Sequence, residues 1–295
     1  MNELFGIPLA ALLGQLVLGL VNGSFYALLS LGLAIIFGML HIINFAHGAL
    51  YMMGAMLAWM ALHYFGLGYW QALVLVPPLV GAFAVAVERT LLRRIYRLDP
   101  LYGLLLTFGL ALVTGGAFRH AFGAGGQPYA IPPQLAGAID LGFMFLPKYR
   151  AWVIAVSLAV CLASWYVIEK TRLGAYLRAA TENPKLTQAF GINVPIMVML
   201  TFGCGAALAA LAGVLAAPTT QVSPLMSSNM IITVFAVVVI GGMGSILGAV
   251  LTGLGLGLIE GLTKVVYAEA SSTVVFVVMA IVLALRPAGL FGKEK

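Results

Sequence analysis

The stretch WQALVLVPPLVGAFAVAVERTLLRRIYRLD, residues 70–99, carries the information that decides the fold. From Trp70 to Val87 no side chain is charged, and then Arg89, Arg93, Arg94 and Arg97 crowd together. A charged side chain at the centre of a bilayer costs about 2.5–3.5 kcal/mol on insertion scales, so such a cluster must lie outside the hydrocarbon. A second basic segment, 169–194, interrupts the apolar chain in the same way. Across 295 residues, 62% are hydrophobic and only 8% charged, against about 25% charged in a soluble domain. The chain is therefore polytopic, all-α, and a single membrane domain over 1–295, with lipid as its surroundings.

A hydrocarbon core of about 30 Å takes about 20 apolar residues per helix. That ruler places spans near 9–37, 47–64, 70–88, 100–118, 150–168, 195–216, 229–243, 246–266 and 272–286, nine crossings with eight or ten allowed. The first is long, and Asn22-Gly23-Ser24 could divide it. Lys and Arg flanking spans mark the cytoplasmic side. Segments 89–99 and 169–194 and the tail (Arg286, Lys293, Lys295) are basic, so all three are expected there, with the amino terminus outside. Segment 119–149, with its Gly and Pro residues, becomes the main outer loop. Aromatic residues at span ends (Tyr64, Tyr69, Trp70, Tyr149, Trp152, Trp165, Tyr166) read as interfacial anchors.

The net charge of +6 follows from this sidedness and does not imply nucleic acid. Cys161 and Cys204 lie inside apolar runs and read as packing residues. The amino terminus has Glu3 and no basic segment, unlike a cleaved signal. No G-x-x-x-x-G-K-[ST] pattern is present, so ATP binding of that kind is not expected of this chain. His41 and His47 stand six apart, off the spacing that puts two metal ligands on one helical face. Neither a catalytic set nor a metal site is expected.

Segment 169–194 reads EKTRLGAYLRAATENPKLTQAFGINV, and its middle predicts a short helix with explicit ends. Asn183 can cap it, Pro184 suits its first position, and Gly191 suits the residue past its end. Leu186, Ala189 and Phe190 then form a narrow apolar stripe. The stripe needs either a groove on another protein or this chain's own helix ends.

This segment resembles the coupling loop of ABC-importer permeases. INFAHGALYMMGAM at 43–56, IGGMGSILGAVLTG at 240–253 and the closing RPAGLFG at 286–292 resemble, in that order, the branched-chain amino-acid permeases. The likeness runs from about residue 10 to the end, and the short loops and tail resemble the LivH-type subunit rather than its longer partner. The resemblance implies a bacterial inner-membrane ABC importer of branched-chain or related hydrophobic amino acids; urea, short amides and aromatic acids are alternatives. It implies a second homologous permease, two cytoplasmic ATPase subunits that bind ATP and Mg, and an extracytoplasmic solute-binding protein. It assigns ATPase coupling to Glu182, Asn183, Leu186, Phe190 and Gly191. No cofactor is expected in this chain.

Residues for the pathway come from the spans. Gly241-Gly242 and Gly244 could unwind a helix, which is tolerated at membrane depth only beside protein or a water-filled cavity. The Gly244/Gly248, Gly253/Gly257 and Gly257/Gly261 spacings permit close helix crossings. Asn44 can cap the span that follows it near the cytoplasmic face, with His47 available to bond across helices or to gate. Glu260 and Lys264 can pair one turn apart, and a substrate contact by Glu260 is the other option. A stand-alone secondary transporter is the competing class, but such carriers place chains of Asp, Glu or His in the membrane. Here the spans offer little beyond Glu260.

Overall fold

The computed structural model describes residues 3–4, 7–40, 42–96 and 98–292, with side chains from residue 8 onward. His41, Arg97, Lys293 and Lys295, used above, lie outside the described residues. The helices are α1 (Leu9–Leu40), α2 (His47–Phe65), α3 (Tyr69–Ile95), α4 (Pro100–Phe122), α5 (Lys148–Lys170), α6 (Arg172–Glu182), α7 (Pro184–Ala189), α8 (Val194–Ala216), α9 (Met226–Gly241), α10 (Ile246–Val266) and α11 (Val274–Leu285). Six of them, α1, α3, α4, α5, α8 and α10, are long and apolar enough to cross a membrane. With α2, α9 and α11 they coincide with the nine spans expected, and α6 and α7 fill the basic segment. The protein is a multi-pass membrane protein.

Asn22-Gly23-Ser24 does not divide the first helix. α1 is continuous for 32 residues, about 48 Å at 1.5 Å per residue. The Ser24 hydroxyl donates to the Leu20 carbonyl at 2.8 Å, within the helix. Gly23 is needed for packing instead, since a Cβ there would stand 3.0 Å from Leu254 Cα of α10.

α1 and α8 form the centre, with 67% and 61% of their most apolar windows buried, whereas α4 and α5 are 11% and 17% buried and turn their sides to lipid. α1 and α10 run antiparallel along a seam of small residues. Gln15 meets Gly261, Gly19 meets Gly257, Gly23 meets Leu254, and Ala27 meets Gly253. Lipid is as apolar as leucine, so backbone approach and dispersion, rather than water exclusion, hold such pairs together. α8 is enclosed by α1, α2 and α3 through Gly205 against Gly32, Gly213 against Tyr51, and Gly203 against Gly81.

The basic end of α3 passes through a π-turn, Glu88–Leu92. Its extra residue turns Glu88 and Leu92 inward and leaves Arg89, Arg93 and Arg94 exposed. Tyr96 donates to Glu88 Oε1 at 2.8 Å. Burial, and then that bond, raises the Tyr96 hydroxyl above its ordinary pKa.

At the opposite end, residues 123–147 hold a 3-10 turn (Pro133–Leu135) and a hairpin of Ala138–Asp140 with Phe145–Pro147. Gln127 and Val222 exchange both backbone bonds, at 2.8 and 2.9 Å. The aromatic residues divide into two kinds. Tyr64 and Tyr166 are exposed, as anchors should be, but Tyr69 and Tyr149 are buried. Trp152 Nε1 donates to Tyr69 at 3.0 Å, and Tyr149 donates to the Leu215 carbonyl at 3.0 Å. These are packing residues that fasten α3 and α5 to each other and to the end of α8. Cys161 and Cys204 are free thiols.

The seam supplies its own test. Any side chain at Gly257 meets the backbone of Gly19 and Gly23, while Gly255, on the same helix, has nothing within 4 Å. Gly257→Leu should abolish monodisperse protein, or lower stability by about 1–3 kcal/mol or more. Gly255→Leu should behave as wild type in the same thermal-denaturation and gel-filtration assays.

Candidate functional site

The chain leaves α1 at Leu40 and turns back into the body of the protein. Residues 42–46 run beside α4: Ile42 packs on Gly103, and Phe45 lies edge-on to Phe108 and stacks on Phe235 of α9 at 5.5 Å. The buried Thr107 hydroxyl accepts from Phe45 N–H at 3.2 Å, and its single proton is shared between the Ile43 carbonyl at 3.2 Å and the Leu104 carbonyl of its own helix at 3.1 Å. Non-helical backbone at this depth is stable only when protein satisfies it, and Thr107 does that.

α2 therefore starts inside the membrane. His47 Nε2 lies 2.9 Å from the Leu29 carbonyl, and the ring borders Gly32. Leu29 and Gly32 stand two to three turns before the end of α1, roughly 12–16 Å along its axis. Sequence reading set this start near the basic face; the structure sets it near mid-depth, because residues 42–46 are spent re-entering. Asn44 does not cap the helix, whose N-cap is Ala46. Its Oδ1 accepts from Ala46 N–H at 3.1 Å and its carbonyl from His47 N–H at 3.2 Å, a turn just ahead of the first helical residue. Asn44 and His47 are 1% and 0% exposed. Among the described residues, Asn44 Nδ2 and His47 Nδ1 have no partner. Since a carbonyl only accepts, the His47 proton sits on Nε2.

A second helix starts at the same place. A Cβ on Gly48 would stand 2.6 Å from the Ser227 carbonyl in the first turn of α9. Segment 217–225 descends to that point from the end opposite the basic face, and α9 then runs 16 residues to Gly241.

Glu182, Asn183, Leu186, Phe190 and Gly191 come together on one exposed corner of the basic face. The segment holds two helices rather than one, broken at Asn183. That residue donates its N–H to the Ala179 carbonyl, ending α6, and its Oδ1 accepts from Leu186 N–H at 3.0 Å, starting α7. Gly191 takes φ +82°, the left-handed conformation that ends the turn. Leu186 is 54% and Phe190 78% exposed, so the stripe does not fold onto this chain. α6 is tied down on its other side. The Thr181 hydroxyl, which donates to the Leu177 carbonyl at 2.9 Å, lies 3.4 Å from Met39 Sδ, and Arg178 donates to the Ile168 carbonyl at 2.6 Å.

The remaining pathway candidates lie at other levels. Gly241 ends α9, and Gly242 and Gly244 have φ of +97° and +87° in the α9–α10 turn. This break is at the basic end, beside Gly38 of α1, rather than at mid-depth. There the tail closes it: Leu290 and Phe291 N–H groups bond the Ile240 and Gly241 carbonyls at 2.8 and 3.2 Å. Glu260 sits in the α1–α10 seam, toward the opposite end. It accepts from Tyr26 at 2.8 Å and Asn22 at 3.5 Å, and pairs with Lys264 at 2.6 Å. The expected Glu–Lys pair thus forms, but α1 contributes to it as well.

Sequence reading missed Ser227, Ser228, Asn229, Thr107, and the Tyr26 and Asn22 partners of Glu260. The S-S-N run opening an unusually short apolar helix was the available signal, since such residues mark helix starts. Tyr26 and Thr107 gave none, because their partners are distant in sequence.

Residues 15–284 match the protein family described as "Branched-chain amino acid transport system / permease component". The high-affinity branched-chain amino acid transport system permease protein BraD of Pseudomonas aeruginosa is 33% identical over 301 residues, 96% of each chain. The permease protein LivH of Escherichia coli K12 is 30% identical over 299 residues, again 96% of each chain. The solved PsaBC from Streptococcus pneumoniae, in complex with Fab, aligns with TM-score 0.41 and 16% identity over 92% of this chain and 88% of that one. With nearly its whole length matched, the chain belongs to the branched-chain amino acid permease family of transport-system components.

Proposed function

We propose that this chain is one of two homologous permease subunits of an ABC importer that carries branched-chain or related hydrophobic amino acids. Full-length likeness to BraD and LivH supports the substrate class. The basic face is cytoplasmic by the positive-inside bias, which sets the amino terminus of α1 outside in an inner, cytoplasmic membrane. Two ATPase subunits dock on that face, bind ATP and Mg, and do the hydrolysis. A solute-binding protein delivers substrate to the opposite face.

The observation that carries this reading is the exposed corner at Asn183. An apolar side chain as exposed as Phe190, on a short, doubly capped helix at a basic membrane surface, is suited to a groove on a cytoplasmic partner. Closure of the ATPase pair would press α6 and α7 against Met39 at the end of α1 and so shift the spans between outward and inward states.

Phe190→Asp should leave membrane insertion and pairing with the second permease intact while ATP-driven uptake falls by about tenfold or more. Uptake by reconstituted vesicles and co-purification of the ATPase measure the two effects, and unchanged uptake would refute the assignment. Uptake in cells should also fail on ATP depletion and survive an ionophore at constant ATP. The reverse pattern would indicate a secondary transporter.

A further inference from the structure

The two helices that start inside the membrane start against each other. α2 and α9 meet at Gly48 and Ser227. The first turn of any helix has N–H groups without helical acceptors, and here protein does not supply them all. His47 N–H and Met226 N–H reach the Asn44 and Ser223 carbonyls, and regular bonding four residues back begins with Leu50 N–H in α2 and Asn229 N–H in α9. Among the described residues, the N–H groups of Gly48, Ala49, Ser227 and Ser228 have no acceptor. A further donor stands at the mouth of α2. The Asn44 amide is anchored through Oδ1 to Ala46 N–H, which holds Nδ2 at the helix start, in a residue 1% exposed and without a partner among the described residues.

Each helix start carries about half a positive elementary charge. Two of them in contact repel, and in a low-dielectric interior the repulsion is poorly screened. Neither first turn contains an acidic residue. Of the two carboxylates buried in the spans among the described residues, Glu88 accepts from Tyr96 at the basic end, and Glu260 has both oxygens engaged by Tyr26, Asn22 and Lys264. Ser228 and Asn229 are exposed beside the junction. Lipid would not solvate them at that depth, so this side borders a polar passage.

We propose that the junction of the α2 and α9 starts is the station at which the carboxylate of an amino-acid substrate rests during passage. This rests on the reading that the chain carries amino acids. The Asn44 amide and the free N–H groups of both helices donate to the two carboxylate oxygens, as helix starts do for anions generally. A resting anion turns the repulsion between the helix ends into attraction. The site is closed in this structure, with Asn44 and His47 buried, so loading it requires the two starts to part on the Ser228 side. The apolar side chain of the substrate needs no dedicated pocket for this, and selectivity among side chains stays with the binding protein.

A resident carboxylate should block the station. Asn44→Asp keeps the bond to Ala46 N–H and places a charged oxygen where Nδ2 stands. Ser228→Asp adds a carboxylate to the exposed first turn of α9, where an acid is favourable, so it does not depend on a buried substitution folding. The complete complex, with both permeases, the ATPases and the binding protein, is reconstituted in vesicles and supplied with radiolabelled leucine. Each Asp variant should assemble and hydrolyse ATP in response to loaded binding protein, while leucine uptake falls by about tenfold or more; Gly255→Leu, away from the junction and with open space around it, should stay within about twofold of wild type. Leucine uptake near wild type in both Asp variants overturns the carboxylate station alone. If Asn44→Asp does not assemble, the Ser228→Asp result decides. A wild-type complex that takes up no amino acid overturns the transport reading and the station with it.

Discussion

Hydrocarbon accepts no hydrogen bonds, and this chain is organised around that fact. Every N–H and C=O within the bilayer must find a partner in the protein, which continuous helices provide for themselves. At two places the chain gives that up and spends non-helical backbone at depth. Residues 42–46 stand next to Thr107, a hydroxyl that both accepts and donates for them. The descending segment 217–225 is held at its outer end by the Gln127–Val222 pair. Among the described residues, the first turns of α2 and α9 hold N–H groups left without an acceptor. Unsatisfied donors are costly where water is absent. A transporter that handles an anion has a use for them.

The rest of the fold positions that junction. α1 is the common wall: its outer half zips to α10 through glycines, its middle meets α8 and His47, and its basic end meets Thr181 and Gly244. The exposed corner at Phe190 and the closed junction at Asn44 are thus joined through one long helix. The Gly242–Gly244 turn, clipped by the tail at Leu290 and Phe291, sits at the same end of α1. The closing RPAGLFG stretch serves there as a helix cap for α9. Two of the motifs that carry the family resemblance are therefore one structure, formed by residues about 50 positions apart.

The legible parts of the fold were those governed by local rules. Apolar run length located every span, because bilayer thickness is a fixed external ruler. Arginine and lysine spacing indicated a basic face, and Asn183, Pro184 and Gly191 marked the ends of α7 because caps act over three or four residues. The nine-span count took α1 as one crossing with Asn22-Gly23-Ser24 as a possible break, and α1 is continuous, since helix–helix contact rewards Gly23 more than its intrinsic propensity penalises it. The reading failed where length alone was ambiguous. The 241–244 glycines looked like unwinding at depth and form a turn at the basic end. Asn44 looked like a helix cap near the surface and belongs to a turn well inside.

The sequence by itself determined that this is a multi-span helical permease, with the basic segments set apart from the spans and one short capped helix among them. Each of those depends on composition over tens of residues or on contacts a few residues apart. The tertiary structure decided depth and pairing: that α2 and α9 begin inside the membrane and meet, that Glu260 is engaged by α1, and that the tail caps α9. Depth cannot be read from an apolar run, because a six-residue connection can lie at the surface or re-enter at the same hydropathy. Only the partners that satisfy its backbone distinguish the two, and those partners, Thr107 and Leu29 among them, are far away in the chain.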